Sequence, residues 1–255
     1  MDHRDRKTGS LLALIMAVCL LSSPAYAIFG FGVHAGKDFA SINEKTFGVA
    51  EFQKASSNLD GIDITPQLAN WNKVTLKRDG VSAPWLVGAH FYIDIIPFID
   101  VEASVDAALA KYKVIYDSDI DVLASQPADE TQDVYFGRVG VYLTARHDLV
   151  KLPAGIFALY IGGGLGYHLV APVAGADLIV NAFGNGDPTA TKPKLSDLVD
   201  REGEIGWHGL FGVRVKAPII PIALRLEAKY TATNQTDMDK PGAVFSTYLG
   251  VSFAI

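Results

Sequence analysis

This chain is poor in cysteine, in positive charge and in long apolar runs, and each shortage excludes something. The single cysteine, Cys19, lies within the first 27 residues. Those residues read as a secretory leader: Arg4, Arg6 and Lys7 make a basic start, Leu11 to Leu21 is apolar, and Pro24-Ala25-Tyr26-Ala27 ends in a small-x-small cleavage pattern. Cleavage after Ala27 would remove Cys19, leaving no disulfide in residues 28–255. Past the leader there is no run of about eighteen uninterrupted apolar residues, which excludes a membrane-spanning helix. Lys and Arg number 22 against 28 Asp and Glu, a net charge of −6 that becomes −7 once the leader, itself +1, is gone. An acidic chain disfavours nucleic acid as a partner, because phosphate contacts need a basic surface. No Pro- or Ser-rich linker marks a second domain, so residues 28–255 are expected to form one.

What is abundant is strict alternation of apolar and polar residues, the period of a strand with one oily and one polar face. Eight segments show it: about 29–39, 85–95, 98–112, 134–146, 156–169, 205–217, 222–233 and 244–255. In the last, Phe245, Leu249, Val251, Phe253 and Ile255 fall on one side, and Ser246, Tyr248, Gly250 and Ser252 on the other. Helical spacing fits none of the eight comparably. The connections alternate in length. Short, proline-bearing turns join the second strand to the third (Pro97), the fourth to the fifth (Pro153) and the sixth to the seventh (Pro218, Pro221). Long segments (about 40–84, 117–133, 171–204 and 234–243) join the others. Around Lys73 to Arg78 the first long segment has room for an added hairpin.

A leader, eight dyad strands, alternating turn lengths and a closing Tyr248–Ile255 segment resemble the small eight-stranded outer-membrane barrels of Gram-negative bacteria (OmpA/OmpX/OmpW-like barrels). Such barrels usually end on an aromatic residue, whereas this chain ends on Ile255 with Phe253 two places earlier. The resemblance implies an all-β, antiparallel, up-and-down barrel in the cell outer membrane, with lipid around it; beside it we expect a monomer whose long loops could meet an extracellular partner. It implies no activity.

Alternation alone also fits a soluble barrel with its oily face inside. Three features favour the inverse arrangement. Aromatic residues cluster toward both strand ends on the oily face, with Trp85, Tyr135, Tyr167, Trp207, Tyr230 and Phe245 toward the long loops, where amphipathic rings favour a membrane interface. The polar face carries the glycine run Gly162, Gly164 and Gly166, suited to a crowded interior. It also carries charges of both signs: Asp100, Glu102 and Asp106 on the third strand, Arg138 and Arg146 on the fourth, Arg214 on the sixth, and Arg225, Glu227 and Lys229 on the seventh. Eight strands enclose an interior just wide enough for side chains, and buried charges must be paired. These nine are therefore expected to form a network that plugs the lumen. Its plain reading is structural, and a proton or ion path is the sharper alternative.

Four histidines share the inward parity: His34, His90, His168 and His208. They are read as neutral rings bonded to lumen carboxylates rather than as metal ligands. Asp117-x-Asp119-x-Asp121 begins like a calcium loop but has Val122 in place of the required glycine and no glutamate at the twelfth position. Gly162–Gly166 lacks the spacing and the following helix of a phosphate loop. No metal or cofactor is expected. The loops would present Asp60, Asp63, Trp71, Lys77, Arg78 and the acidic second loop to the exterior. The function so indicated is a structural or surface-interaction role. A conduit for small hydrophobic molecules is the alternative, and a lipid-modifying enzyme a further one. The last would need a nucleophile and base at the lipid-facing rim, where the outward residues offer only Thr247 and tyrosines.

Overall fold

The structure, a computed structural model, describes residues 29–57, 74–96, 99–118, 131–171, 173–176, 180, 203–217, 220–233 and 243–254. The leader and its cleavage site, Asp60, Asp63 and Trp71, and most of the acidic second loop lie outside them. The elements are β1 (Phe29–Asp38), β2 (Ser41–Ile42), β3 (Lys45–Phe47), α1 (Val49–Ser57), β4 (Val74–Arg78), β5 (Val81–Ser82), β6 (Trp85–Ile96), β7 (Ile99–Ser118), β8 (Thr131–Lys151), β9 (Phe157–Val170), β10 (Glu204–Lys216), β11 (Ile222–Ala232) and β12 (Val244–Ala254).

Eight of these, β1 and β6 to β12, close a cylinder. Each is antiparallel to its neighbours, and β1 is sealed between β12 and β6. One turn along the paired positions runs from Phe29 through Ile93, Val101, Ala145, Gly163, Gly209, Tyr230 and Phe245, whose carbonyl accepts the Phe39 N–H. The path returns to β1 ten residues higher, from Phe29 to Phe39. That stagger tilts the strands and sets the narrow bore of a small barrel.

The barrel is inside out relative to a soluble protein. Val33, Leu143, Leu165, Leu226 and Leu249 face outward and are 58–63 % exposed, whereas Glu102, Asp106, Arg138, Arg146, Arg225, Glu227 and Lys229 face inward and are each 2 % exposed. The outward apolar stretch of β7, Ile99 to Leu109, is eleven residues. At a rise of about 3.4 Å and a tilt of about 40° this covers roughly 26 Å, close to the apolar band of a membrane barrel.

Two strands run well past the expected limits. β7 reaches Ser118 rather than about Tyr112, and β8 covers Thr131–Lys151 rather than 134–146. The cause is an inversion of the pattern. On β7 the outward residues change from Val105 and Leu109 to Lys111 and Lys113, while the inward ones change from Glu102 and Asp106 to Tyr112 and Val114. On β8 the inward Arg146 and Arg138 give way to Phe136 and Val134, and Tyr135 and Asp133 come outside. A search for one continuous oily face stops where the polarity swaps sides. At its lower end β8 continues to Lys151 and is stopped by a single 3-10 turn, Pro153–Gly155, instead of turning from His147.

Above this inversion sits a small core of ordinary soluble type. Phe52 and Ala55 of α1 pack with Phe47, Leu76, Tyr112, Val114, Val134 and Phe136. α1 is begun by Glu51, whose Oε2 accepts the Gly48 N–H at 2.9 Å, the reciprocal half of a capping box. That bond holds the Glu51 carboxyl below its ordinary range. An added strand is present over Val74–Arg78, but its partner is not a hairpin neighbour: it is β3, which precedes α1 in the chain. β4 pairs with β3 and also with β7 over Val114–Ser118, above the point where β6 stops opposite Leu109. An edge of β7 that would otherwise stand open is thereby covered.

Candidate functional site

The lumen is the one place among the described residues where charged side chains converge. Near the short turns, Asp100 lies 3.2 Å from Arg146 and 3.7 Å from Arg214, which also reaches Asp148 at 3.2 Å. One rung higher, Glu102 Oε2 is 2.8 Å from both Arg146 Nη1 and Arg225 Nη1. These are charge contacts rather than aligned hydrogen bonds. Arg225 also grips Glu227, which accepts from the Tyr160 hydroxyl and from the Tyr248 hydroxyl at 2.5 Å. Above that, Lys229 donates to Asp106 and its Nζ stands 3.6 Å from the centre of the Tyr142 ring. At the loop end Arg138 pairs with Asp38 and donates to the Tyr142 hydroxyl at 3.2 Å.

All nine charged residues singled out by parity lie in this lumen, on β7, β8, β10 and β11, and each touches at least one opposite charge. The alternation of sign between strands is what permits it, since tilted neighbours bring long side chains of different strands to one height. Parity alone passed over Asp38 and Asp148, and it placed Tyr142, Tyr160 and Tyr248 on the polar face without showing what their hydroxyls meet. Asp38 was legible as the last inward position of β1. What the phenols meet was not, because only the fold brings the Tyr160 and Tyr248 hydroxyls to Glu227 and the Tyr142 hydroxyl to Arg138.

The four histidines are all buried. Only His34 meets a carboxylate, donating from Nε2 to Asp106 Oδ1 at 2.8 Å. The expectation of carboxylate partners fails for the other three. His90 Nε2 is 3.0 Å from the Ser252 hydroxyl, and the Thr144 hydroxyl is 2.8 Å from His208 Nε2. Among the described residues neither ring nitrogen of His168 has a hydrogen-bond partner, and its ring stands edge-on to Tyr142 at 5.1 Å between centroids. The carboxylates of the lumen are already taken by arginine and lysine, which compete better for them. His34 and His90 lie with their Nδ1 atoms 3.4 Å apart. No group of three or more metal-ligating side chains occurs among the described residues.

Of the other sequence features, Asp117 lies within β7 opposite Thr75, and Asp119 and Asp121 fall outside the described residues. The glycines of β9 face crowded neighbours. A Cβ on Gly166 would stand 2.7 Å from the Tyr142 ring and 2.8 Å from His168 Nε2. Arg78, expected at the outer surface, is instead 6 % exposed and donates to the carbonyls of Ala174 at 3.2 Å and Asn43 at 3.0 Å. It faces inward on β4, where its guanidinium ties two loop carbonyls together.

This architecture, a closed eight-stranded barrel with an oily exterior and a paired ionic interior, is that of a small membrane barrel. No family model and no curated sequence matches the chain. Among solved structures it is similar to Neisserial surface protein A (TM-score 0.47, 10 % identity, covering 89 % of this chain and 97 % of that one). It is also similar to the outer membrane protein OprG of Pseudomonas aeruginosa (0.41, 12 %, 89 % and 96 %) and to the N-terminal β-barrel domain of OprF from the same organism (0.40, 9 %, 89 % and 97 %). At these scores the assignment of fold rests on the strand pairings themselves.

Proposed function

We propose that the protein is an integral outer-membrane barrel whose lumen is closed by its ionic network and whose long loops face the outside of the cell, α1, β3 and β4 packing there on the barrel, in a structural or surface-interaction role rather than a catalytic one. The observation that carries this reading is the reversal of polarity along β7 and β8. Oily residues face outward over about 26 Å, and just beyond that height they turn inward. Hydrocarbon below and water above account for both halves. A soluble barrel would keep one polarity throughout. In this reading residues 1–27 are the export leader, cut after Ala27, and the chain works as a monomer, since in the barrel wall each of the eight strands is paired on both sides.

Closure is supported by how the lumen is filled. Arg146 and Arg225 share Glu102 across the bore, with Tyr160 and Tyr248 wedged beside Glu227. The test is refolding of residues 28–255 from urea into lipid vesicles, followed by planar-bilayer recording. The folded protein is expected to insert, to shift its gel mobility on heating, and to give no steady conductance. Steady single-channel steps would overturn closure. A monomer that stays dissolved in buffer without detergent would overturn the membrane reading altogether.

A further inference from the structure

Where the polarity reverses, the outer rim of the barrel is not uniform. On the wall formed by β9 to β12 the outward residues at this height are Tyr167, Trp207, Tyr230 and Phe245, and no outward Lys or Arg occurs on those strands among the described residues. On the opposite wall two lysines stand at the oily edge, each set against an aromatic face. Lys37 Nζ of β1 lies 3.7 Å from the ring centre of Trp85 on β6 and donates to the Ala83 carbonyl at 3.2 Å. Lys111 Nζ of β7 lies 4.8 Å from the ring centre of Tyr135 on β8. Another cation of this rim is ion-paired: Lys77 is 2.8 Å from Glu44. Neither Lys37 nor Lys111 has a carboxylate within ion-pair distance among the described residues; Asp133 acts on Lys111 from farther off, and Lys111 donates a hydrogen bond to the Tyr135 side chain.

The register fixes their separation. Lys37 is opposite Trp85, Trp85 is opposite Leu109, and Lys111 stands two residues beyond Leu109. Two strand spacings across and two residues along put the backbones of the two lysines about 12 Å apart. Between them lie only Trp85 and Leu109 on the lipid-facing surface.

We propose that this rim binds a lipid headgroup carrying two phosphates, one at Lys37 and one at Lys111. The inference rests on the membrane reading above and adds to it a partner and a place. An ammonium at the edge of hydrocarbon keeps its stem in the oily phase and its head at headgroup level. The anions available at that depth are lipid phosphates, each basic side chain near the surface adding to the attraction. The aromatic ring beneath each lysine holds the ammonium in place without neutralising it. A headgroup with two phosphates can meet both cations at once, and a singly phosphorylated one meets only one of them.

The test uses residues 28–255 refolded in phosphatidylcholine vesicles doped with a bisphosphorylated glycolipid, its monophosphorylated form, or phosphatidylglycerol, with bound lipid counted by native mass spectrometry. The bisphosphorylated lipid is expected to be retained in preference to both others. Lys37→Gln or Lys111→Gln should each lower that preference about fivefold, the double variant should abolish it, and Lys54→Gln on α1, a control of equal charge change, should leave it intact. Raised salt should weaken the preference in the parent chain. The proposal is overturned if the double variant keeps the preference, or if mono- and bisphosphorylated lipids are retained equally. If the chain enters no vesicle of any composition, the membrane reading fails and takes the lipid site with it.

Discussion

The lumen below the inversion and the small core above it are built by the same two strands, with the same inward parity, from opposite kinds of residue. β7 contributes Glu102 and Asp106 to one and Tyr112 and Val114 to the other. β8 contributes Arg146 and Arg138 to one and Phe136 and Val134 to the other. The difference teaches that inward does not mean apolar. The inside of a sheet takes whichever character its outside cannot have. Where hydrocarbon surrounds the barrel, oily side chains are satisfied outside, and the bore must then be filled by polar groups that satisfy one another. Where water surrounds it, the usual burial of Phe52, Leu76 and Phe136 returns.

The two regions should therefore break differently. Arg225→Ala strips Glu102 and Glu227 of a shared partner and should cost about 3–5 kcal/mol, seen as a lowered unfolding midpoint of the whole barrel in detergent. Phe52→Ala should cost a similar amount, about 3–5 kcal/mol, but locally. Faster proteolysis and hydrogen exchange are expected in α1 and β4, with the unfolding midpoint of the barrel unchanged. A global loss would show that cap and barrel form one cooperative unit. Next in size, Leu226→Arg or Val213→Arg on the lipid-facing wall should cost about 2–4 kcal/mol and block insertion. Thr46→Arg, exposed above the inversion, should stay within about 0.5 kcal/mol. Equal insertion yields for Leu226→Arg and Thr46→Arg would erase the boundary between the two regions. The smallest effect is expected at His168, whose two ring nitrogens have no hydrogen-bond partner among the described residues. His168→Phe should leave stability unchanged or raise it by about 1 kcal/mol, because an unmet polar group is removed from the interior. A clear loss of stability in thermal unfolding would mean that this ring is bonded after all.

Much of the barrel was legible because period-two alternation is written into the backbone geometry of a strand. The strands from Phe29, Trp85, Phe157, Glu204, Ile222 and Val244 begin within a residue of where the alternation begins. The reading faltered where the alternation kept its period but exchanged its colours. Lys111, Tyr112, Lys113 and Val114 still alternate, yet a rule seeking oily residues at odd positions stops at Leu109. Of the lumen, the nine charges were legible from parity and their partners were not. His168 and Arg138 stand at the loop end, but only tilt and stagger decide that Arg138 takes Asp38, a hundred residues away, while His168 takes nothing. Arg78 is the plainest miss. A loop arginine next to Lys77 reads as surface, and only the docking of β4 against β7 turns it inward.

The sequence by itself determined which residues share a face, because successive side chains of a strand point opposite ways whatever the strand pairs with. It also determined that so much oily surface on one face demands a closed sheet. Only the tertiary structure decided which acid meets which base and where the interior changes from ionic to apolar. Those depend on the stagger of the strands and on the docking of β3, β4 and α1 over the mouth. Both are set by contacts between segments far apart in the chain, which no local pattern records.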